Sequence, residues 1–105
     1  MPTSKGYIDF IMEQLSGLDD ITCRPMMGEY VLYYRGRIFG GVYDDRLLVK
    51  PVQSACALMP RAVRELPYEG AKEMLPVDDV DDRAFLRDLV EAMYDELPAP
   101  KKGRR

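Results

Sequence analysis

Apolar residues Tyr7, Ile8, Ile11, Met12, Leu15 and Leu18 recur at helical spacing near the start of the chain, with Asp9, Glu13 and Gln14 between them. Ser4 or Thr3 can cap this segment and Gly17 marks its fraying end, which predicts an amphipathic helix from Ser4 to Leu18. The pattern then changes. Ile21 to Met26 can extend, but Pro25 lacks a backbone donor and confines the segment to a sheet edge or a strand end. Tyr30 to Tyr34 is rich in β-formers, Arg35-Gly36 is a compact hairpin signal, and Arg37 to Tyr43 reads as the returning strand. A second turn at Asp44-Asp45-Arg46 leads into Leu47 to Lys50, so the short strands form an antiparallel meander and not a parallel crossover.

The second half repeats this alternation more loosely. Val52 to Met59 has helical composition and Pro60 should stop it; Arg61 to Leu66 is expected to add another turn of helix. Pro67-Tyr68-Glu69-Gly70 is a loop, and Glu73 to Val77 is long enough for one more strand. Phe85, Leu86, Leu89, Val90, Met93, Tyr94 and Leu97 form the cleanest helical stripe in the chain, capped by Asp81 or Asp82 and ended by Pro98. The predicted order is α-β-β-β-(β)-α-β-α. This is an α+β fold in which helices at both ends pack on one face of an antiparallel sheet.

Composition sharpens this picture by exclusion. A chain of 105 residues with 47% apolar and 31% charged residues has the size and make-up of one globular domain. Its longest apolar runs, Tyr30 to Tyr34 and Ala55 to Met59, are five residues each, whereas a membrane-spanning helix needs about 20. With no secretory signal at Met1 to Gly6, the expected location is cytoplasmic, with no membrane contact. Cys23 and Cys56 form no CxxC pair and read as small packing residues in a reducing compartment. The chain has no histidine, asparagine or tryptophan, which removes Ser-His and Cys-His catalysis and the common zinc sites. No catalytic residue, metal ligand or cofactor is therefore expected.

Charge is unevenly distributed. Lys101, Lys102, Arg104 and Arg105 supply 4 of the 15 cations, leaving 11 against 18 acidic residues over positions 1 to 100, a net of −7. Residues 1–97 are expected to form the domain and 98–105 a mobile basic tail, through which nucleic acid would be touched only weakly.

The most suggestive local cluster is Arg24, Met26, Met27 and Gly28, where a glycine at a strand end lets another backbone approach closely; a plain turn with methionines filling gaps explains the same residues. Tyr30, Tyr33, Tyr34 and Tyr43 offer a stacking platform, but alternation places Tyr30 and Tyr34 on one strand face and Tyr33 on the other, so some of them belong to the core. Asp78, Asp79, Asp81 and Asp82 lack the ligand spacing of a calcium loop and read as helix-capping residues. Glu65, Glu69 and Glu73, and the pair Asp44 and Asp45, accompany no nucleophile motif and read as surface. Gly40-Gly41, inside a strand pattern, marks a bulge or a close packing contact.

Arg24-Pro25-Met26-Met27-Gly28-Glu29-Tyr30, then Leu32-Tyr33, Gly36-Arg37, Phe39, Asp45-Arg46-Leu47 and Lys50, together resemble the N-terminal domain of the TfoX/Sxy family. That family's pattern runs R-x-M-F-G-G-Y-x-L-Y, a G-R-M-F hairpin and a D-x-L-Y-x-K strand, and the resemblance spans residues 5 to 97. Here Met27-Gly28-Glu29 stands where Phe-Gly-Gly is common, and Leu48 where an aromatic is frequent. The helical second domain of the family's regulators has no counterpart in the sequence. The resemblance implies an α+β fold of this order and a role in regulating DNA-uptake competence, in which members act as transcriptional co-activators beside the cyclic-AMP receptor protein. The expectation is a non-enzymatic regulatory or interaction module. Its partner would be a protein, a transcription factor or a second copy of the chain, bound through Arg24, Met26, Met27, Gly28, Tyr30 and Lys50. The alternative is a small-molecule or weak nucleic-acid binding module.

Overall fold

Three two-residue turns set the topology. In the computed structural model, which describes residues 3–98, Met27-Gly28 (φ 53° and 88°), Arg35-Gly36 (52° and 83°) and Asp44-Asp45 (54° and 57°) all lie at positive φ. Positive φ at both central residues is the signature of the type I′ hairpin turn, whose twist matches that of the flanking strands. The turns join β1 (Ile21–Met26), β2 (Glu29–Tyr34), β3 (Arg37–Val42) and β4 (Leu47–Val49) into an antiparallel meander, and β5 (Leu75–Pro76) completes a five-stranded sheet in sequence order. Helices α1 (Lys5–Gln14), α2 (Gln53–Leu58) and α3 (Arg83–Met93), with a closing 3₁₀ turn at Tyr94–Glu96, make up the rest. The predicted α+β order is present, including the fourth strand of the meander.

Pro25 is accommodated because β1 is an edge. The Arg35 N–H donates to the Asp20 carbonyl, and residues then alternate, so Thr22, Arg24 and Met26 bond toward β2 while Ile21, Cys23 and Pro25 point their backbone groups outward. The donor that proline lacks is one the sheet does not use.

Gly40 and Gly41 are required by the register. The β2–β3 pairing slips between Leu32 and Tyr33, matching Leu32 to Gly40 and Tyr33 to Ile38, so Phe39 is the extra residue of a bulge and is fully buried. A Cβ at Gly40 would sit 2.2 Å from the Leu48 carbonyl oxygen. At Gly41 it would lie 2.6 Å from both the Tyr30 carbonyl and the Tyr43 ring. The glycine pair thus does both things its sequence position suggested.

One face of the sheet is roofed by helices. Ile8, Ile11 and Leu15, with Leu86, Leu89, Val90 and Met93, share a core with Leu32, Phe39, Val42, Val49 and Leu75. Ser4 caps α1 by accepting the Tyr7 N–H at 3.3 Å, and Asp82 caps α3 by accepting the Phe85 N–H at 3.0 Å. Buried Gln14 links the end of α1 to the start of α3: its amide donates to the Val80 carbonyl (2.9 Å) and accepts from Arg83 (3.2 Å).

Several boundaries differ from expectation. Helix α1 stops at Gln14; Leu15 and Leu18 remain buried in the turns that follow. Arg61 to Leu66 forms no helix. Glu65 instead exchanges two 2.8 Å backbone bonds with Met74, and this long-range pairing outweighs a weak local preference. Helix α3 passes into the 3₁₀ turn after Met93, and Arg37 donates to the Tyr94 and Leu97 carbonyls at 3.1 and 3.3 Å, satisfying acceptors that a helix end leaves open. Of the expected basic tail, residues 99–105 lie outside the described residues.

Candidate functional site

Alternation along the strands sends Thr22, Arg24 and Met26 of β1, Val31 and Tyr33 of β2, Ile38 and Gly41 of β3, and Leu48 of β4 to the face away from the helices. This second face is divided in two. Over β3 and β4 it is covered: the Tyr43 ring lies across Gly41, the Tyr68 ring meets it at 5.9 Å, and Leu48 is fully buried without joining the helix-side core. Segment 60–74 provides this cover. It is held by the Glu65–Met74 bridge and by an ion pair from Arg46 to Glu65. Burial, with the nearby Tyr68 and Glu29 charges, pushes the Tyr43 hydroxyl's pKa up, so the ring stays neutral beneath the loop.

Over β1, β2 and the first half of β3 the same face is uncovered. Met26 and Ile38 are 36% and 38% exposed, Val31 and Tyr33 are half-buried, and Arg24 is exposed. The Arg24 guanidinium has no hydrogen-bond or ion-pair partner among the described residues. Apolar side chains flanked by an unpaired cation form a surface that can bury against a partner and orient it by charge.

The structure places the sequence-derived candidates at separate positions. Arg24 and Met26 lie together on the uncovered face. Met27 and Gly28 form the β1–β2 turn, with the Met27 side chain 97% exposed at its tip. Tyr30 lies on the helix side, packed against the core, as alternation required, while Tyr33 faces the opposite way. Lys50 follows β4 and lines a groove of about 710 Å³ between the second face and segment 60–74. Val31 and Ile38 were absent from the candidates, and Tyr33 entered only as one ring of a stacking platform; the period-2 alternation of β2 and β3 was the signal that contained all three.

Glu29, at the position where the family pattern has glycine, has a structural role. Its Oε1 accepts the Thr3 hydroxyl (2.7 Å), the Thr3 N–H (3.1 Å) and the Asp44 N–H (3.0 Å). Ser4 donates its N–H and hydroxyl to Asp45, so the chain start is tied to two hairpin turns at once. The Met27-Gly28 turn, part of the cluster that looked like a partner surface, is partly occupied in holding the N-terminal segment, since the Thr3 N–H also meets the Gly28 carbonyl at 3.1 Å.

Arg37 was likewise not singled out. Besides its two carbonyl bonds, its guanidinium lies 4.4 Å from the Tyr94 ring centroid, and Arg35 sits 5.2 Å from Tyr34 and 5.8 Å from Tyr94. The hairpin arginines thus fix the end of α3. Cys23 and Cys56 are unpaired and half-buried against the core. Among the described residues, no cluster of three His, Cys, Asp or Glu side chains is placed to hold a metal, and no helix is long and apolar enough to cross a membrane.

A five-stranded antiparallel meander roofed on one side by terminal helices defines the chain as an α+β domain with one half-open sheet face. It belongs to the TfoX N-terminal domain family, which matches residues 13–97 and so includes every strand, α2 and α3. A relative from Spirochaeta aurantia, described as an uncharacterized 12.7 kDa protein in the trpE 5′ region, is 32% identical over 102 residues, covering 96% of this chain and 89% of its own. No solved structure gives a significant match.

Proposed function

We propose that this chain is a non-enzymatic regulatory module of the TfoX N-terminal domain class that acts through protein contacts, in the cytoplasm, within transcriptional control of competence. The observation that carries this reading is the uncovered half of the second sheet face, where Met26, Val31, Tyr33 and Ile38 present apolar surface beside Arg24, which pairs with no described residue. An antiparallel sheet solvated on one side ordinarily turns polar residues outward there. The adjoining edge strand offers the outward backbone groups of Ile21 and Cys23, while Pro25 ends pairing at one side, which suits a short added strand better than open-ended stacking. Absence of histidine and of any nucleophile motif supports a binding role over a catalytic one. The family supports the regulatory setting; the partner, a transcription factor or a second copy of this chain, is part of the proposal.

The test is affinity capture from the native cell with the full chain and with the Ile38→Asp variant, alongside sedimentation of the purified protein. A specific partner or self-association present in the parent and lost in a variant of unchanged fold supports the proposal. Capture and sedimentation identical in the two proteins contradict it.

A further inference from the structure

Among the described residues, most cations are engaged: Lys5 with Asp9, Arg46 with Glu65, Arg83 with Glu13, Arg87 near Asp88, and Arg35 and Arg37 over tyrosine rings or on carbonyls. Five are not: Arg24, Arg61, Lys50, Arg64 and Lys72. The last three make no side-chain hydrogen bond or ion pair with any described residue, and all three line one groove of about 710 Å³ between the sheet and segment 60–74. A single carboxylate, Glu73, lines it with them. In a chain whose first 100 residues carry a net of −7, this is a local reversal of sign with a net of +2, three cations less one acid.

The groove is more than a charged surface. Its volume falls within the roughly 300–1,000 Å³ typical of small-molecule sites. Tyr68 stands in its wall, 51% exposed and packed at 5.9 Å against the buried Tyr43 ring, which also lines the groove. Ile38 adds an apolar boundary. An unpaired guanidinium and two ammonium groups suit a dianionic phosphate, the guanidinium by paired donors and the ammoniums as point charges. A supported, half-exposed tyrosine ring suits a planar group stacked against it.

We propose that this groove is a binding site for a small phosphate ester carrying a planar ring, the chemistry of a nucleoside monophosphate, with Lys50, Arg64 and Lys72 meeting the phosphate and Tyr68 the ring. Such a ligand would touch both segment 60–74 and the sheet, and through Ile38 it would reach the border of the uncovered face. The site goes beyond the protein-contact reading and does not depend on it.

The experiment is calorimetric titration of the full-length protein at low salt with the four common nucleoside monophosphates, with inorganic phosphate, with the matching nucleosides and with a glutamate-rich peptide. Saturable one-site binding of at least one nucleotide is expected, tighter than phosphate or nucleoside alone. Arg64→Gln, Lys72→Gln and Tyr68→Ala should each weaken it by about tenfold, the size of one lost charge-assisted or stacking contact. Arg61→Gln, an unpaired cation outside the groove, should leave it unchanged. Thermal midpoints of all variants are measured in parallel, since these exposed side chains make no fold-supporting polar contact. Absence of saturable binding for all four nucleotides overturns the proposal. So does phosphate binding as tightly as any nucleotide, tighter binding of the acidic peptide, or nucleotide binding insensitive to the three groove variants.

Discussion

On the helix side of the sheet, Leu32, Phe39, Val42 and Val49 are sealed beneath α1 and α3; on the other side, Val31, Tyr33 and Ile38 carry comparable side chains in the same strands and remain in contact with solvent. Strands β2 to β4 carry apolar side chains on both faces, yet only one face is fully roofed. Where the second face is covered, at Leu48 and Tyr43, the cover is a loop pinned by a two-bond bridge and a partly exposed ion pair, an arrangement weaker than helix packing because surface pairs contribute little. The difference separates what holds the domain together from what it presents outward. It also sets how substitutions on the two sides should differ.

The largest effect belongs to the roof. Leu89 is fully buried at the centre of the α3 stripe, so Leu89→Ala should cost about 2–5 kcal/mol, measured by denaturant unfolding. An unchanged unfolding midpoint would mean that the stripe is not core. The close strand approach comes next. Gly40→Ala forces a methyl against the Leu48 carbonyl, a backbone atom that cannot turn aside, and should cost about 1–3 kcal/mol. Gly36→Val places a β-branched residue at φ 83° and should cost about 1–2 kcal/mol, with the β2–β3 hairpin amides losing hydrogen-exchange protection first.

A smaller effect depends on pH. Glu96 accepts the Ser54 N–H (2.9 Å) and hydroxyl (2.7 Å) at the start of α2, and these bonds hold its carboxyl below the usual glutamate value of 4.5. A depressed folded-state pKa contributes stability that is fully present above the unfolded value and lost as pH falls through the folded one. Unfolding of the parent should therefore weaken below about pH 4.5 more steeply than that of Glu96→Gln. Parallel acid profiles would show that the contact does not matter to folding. The smallest effect belongs to the uncovered face, where Arg24→Gln should change stability by no more than about 0.5 kcal/mol.

Much of this division was legible in the residues. Type I′ turns announced themselves through Gly28 and Gly36, the stripe of α3 through its spacing, and the capping role of Asp82 through its position. The close packing of Gly40 and Gly41 followed from glycines inside a strand pattern. What stayed hidden depends on contacts across long sequence separations. Glu65, in a segment whose local composition suggested helix, pairs with Met74 across a loop, and Glu29 anchors Thr3 from 26 residues away. Of the candidate residues picked for their chemistry, Arg24, Met26, Met27, Gly28 and Tyr30 share a sequence neighbourhood more than a surface, because alternation sends Tyr30 to the core side while Arg24 and Met26 face out; Lys50 lies apart, in the groove. The groove cations Arg64 and Lys72 carry no motif; only folding brings them into one groove with Lys50.

The claim that the uncovered half-face serves binding and not folding is tested most directly by Ile38→Asp, measured for unfolding and for partner capture on the same preparation. Ile38 is 38% exposed at the border of that face. The account predicts an unfolding midpoint close to the parent's together with loss of the captured partner or of self-association. A collapse of stability with a carboxylate at position 38, or full retention of every contact by a stably folded variant, would contradict it.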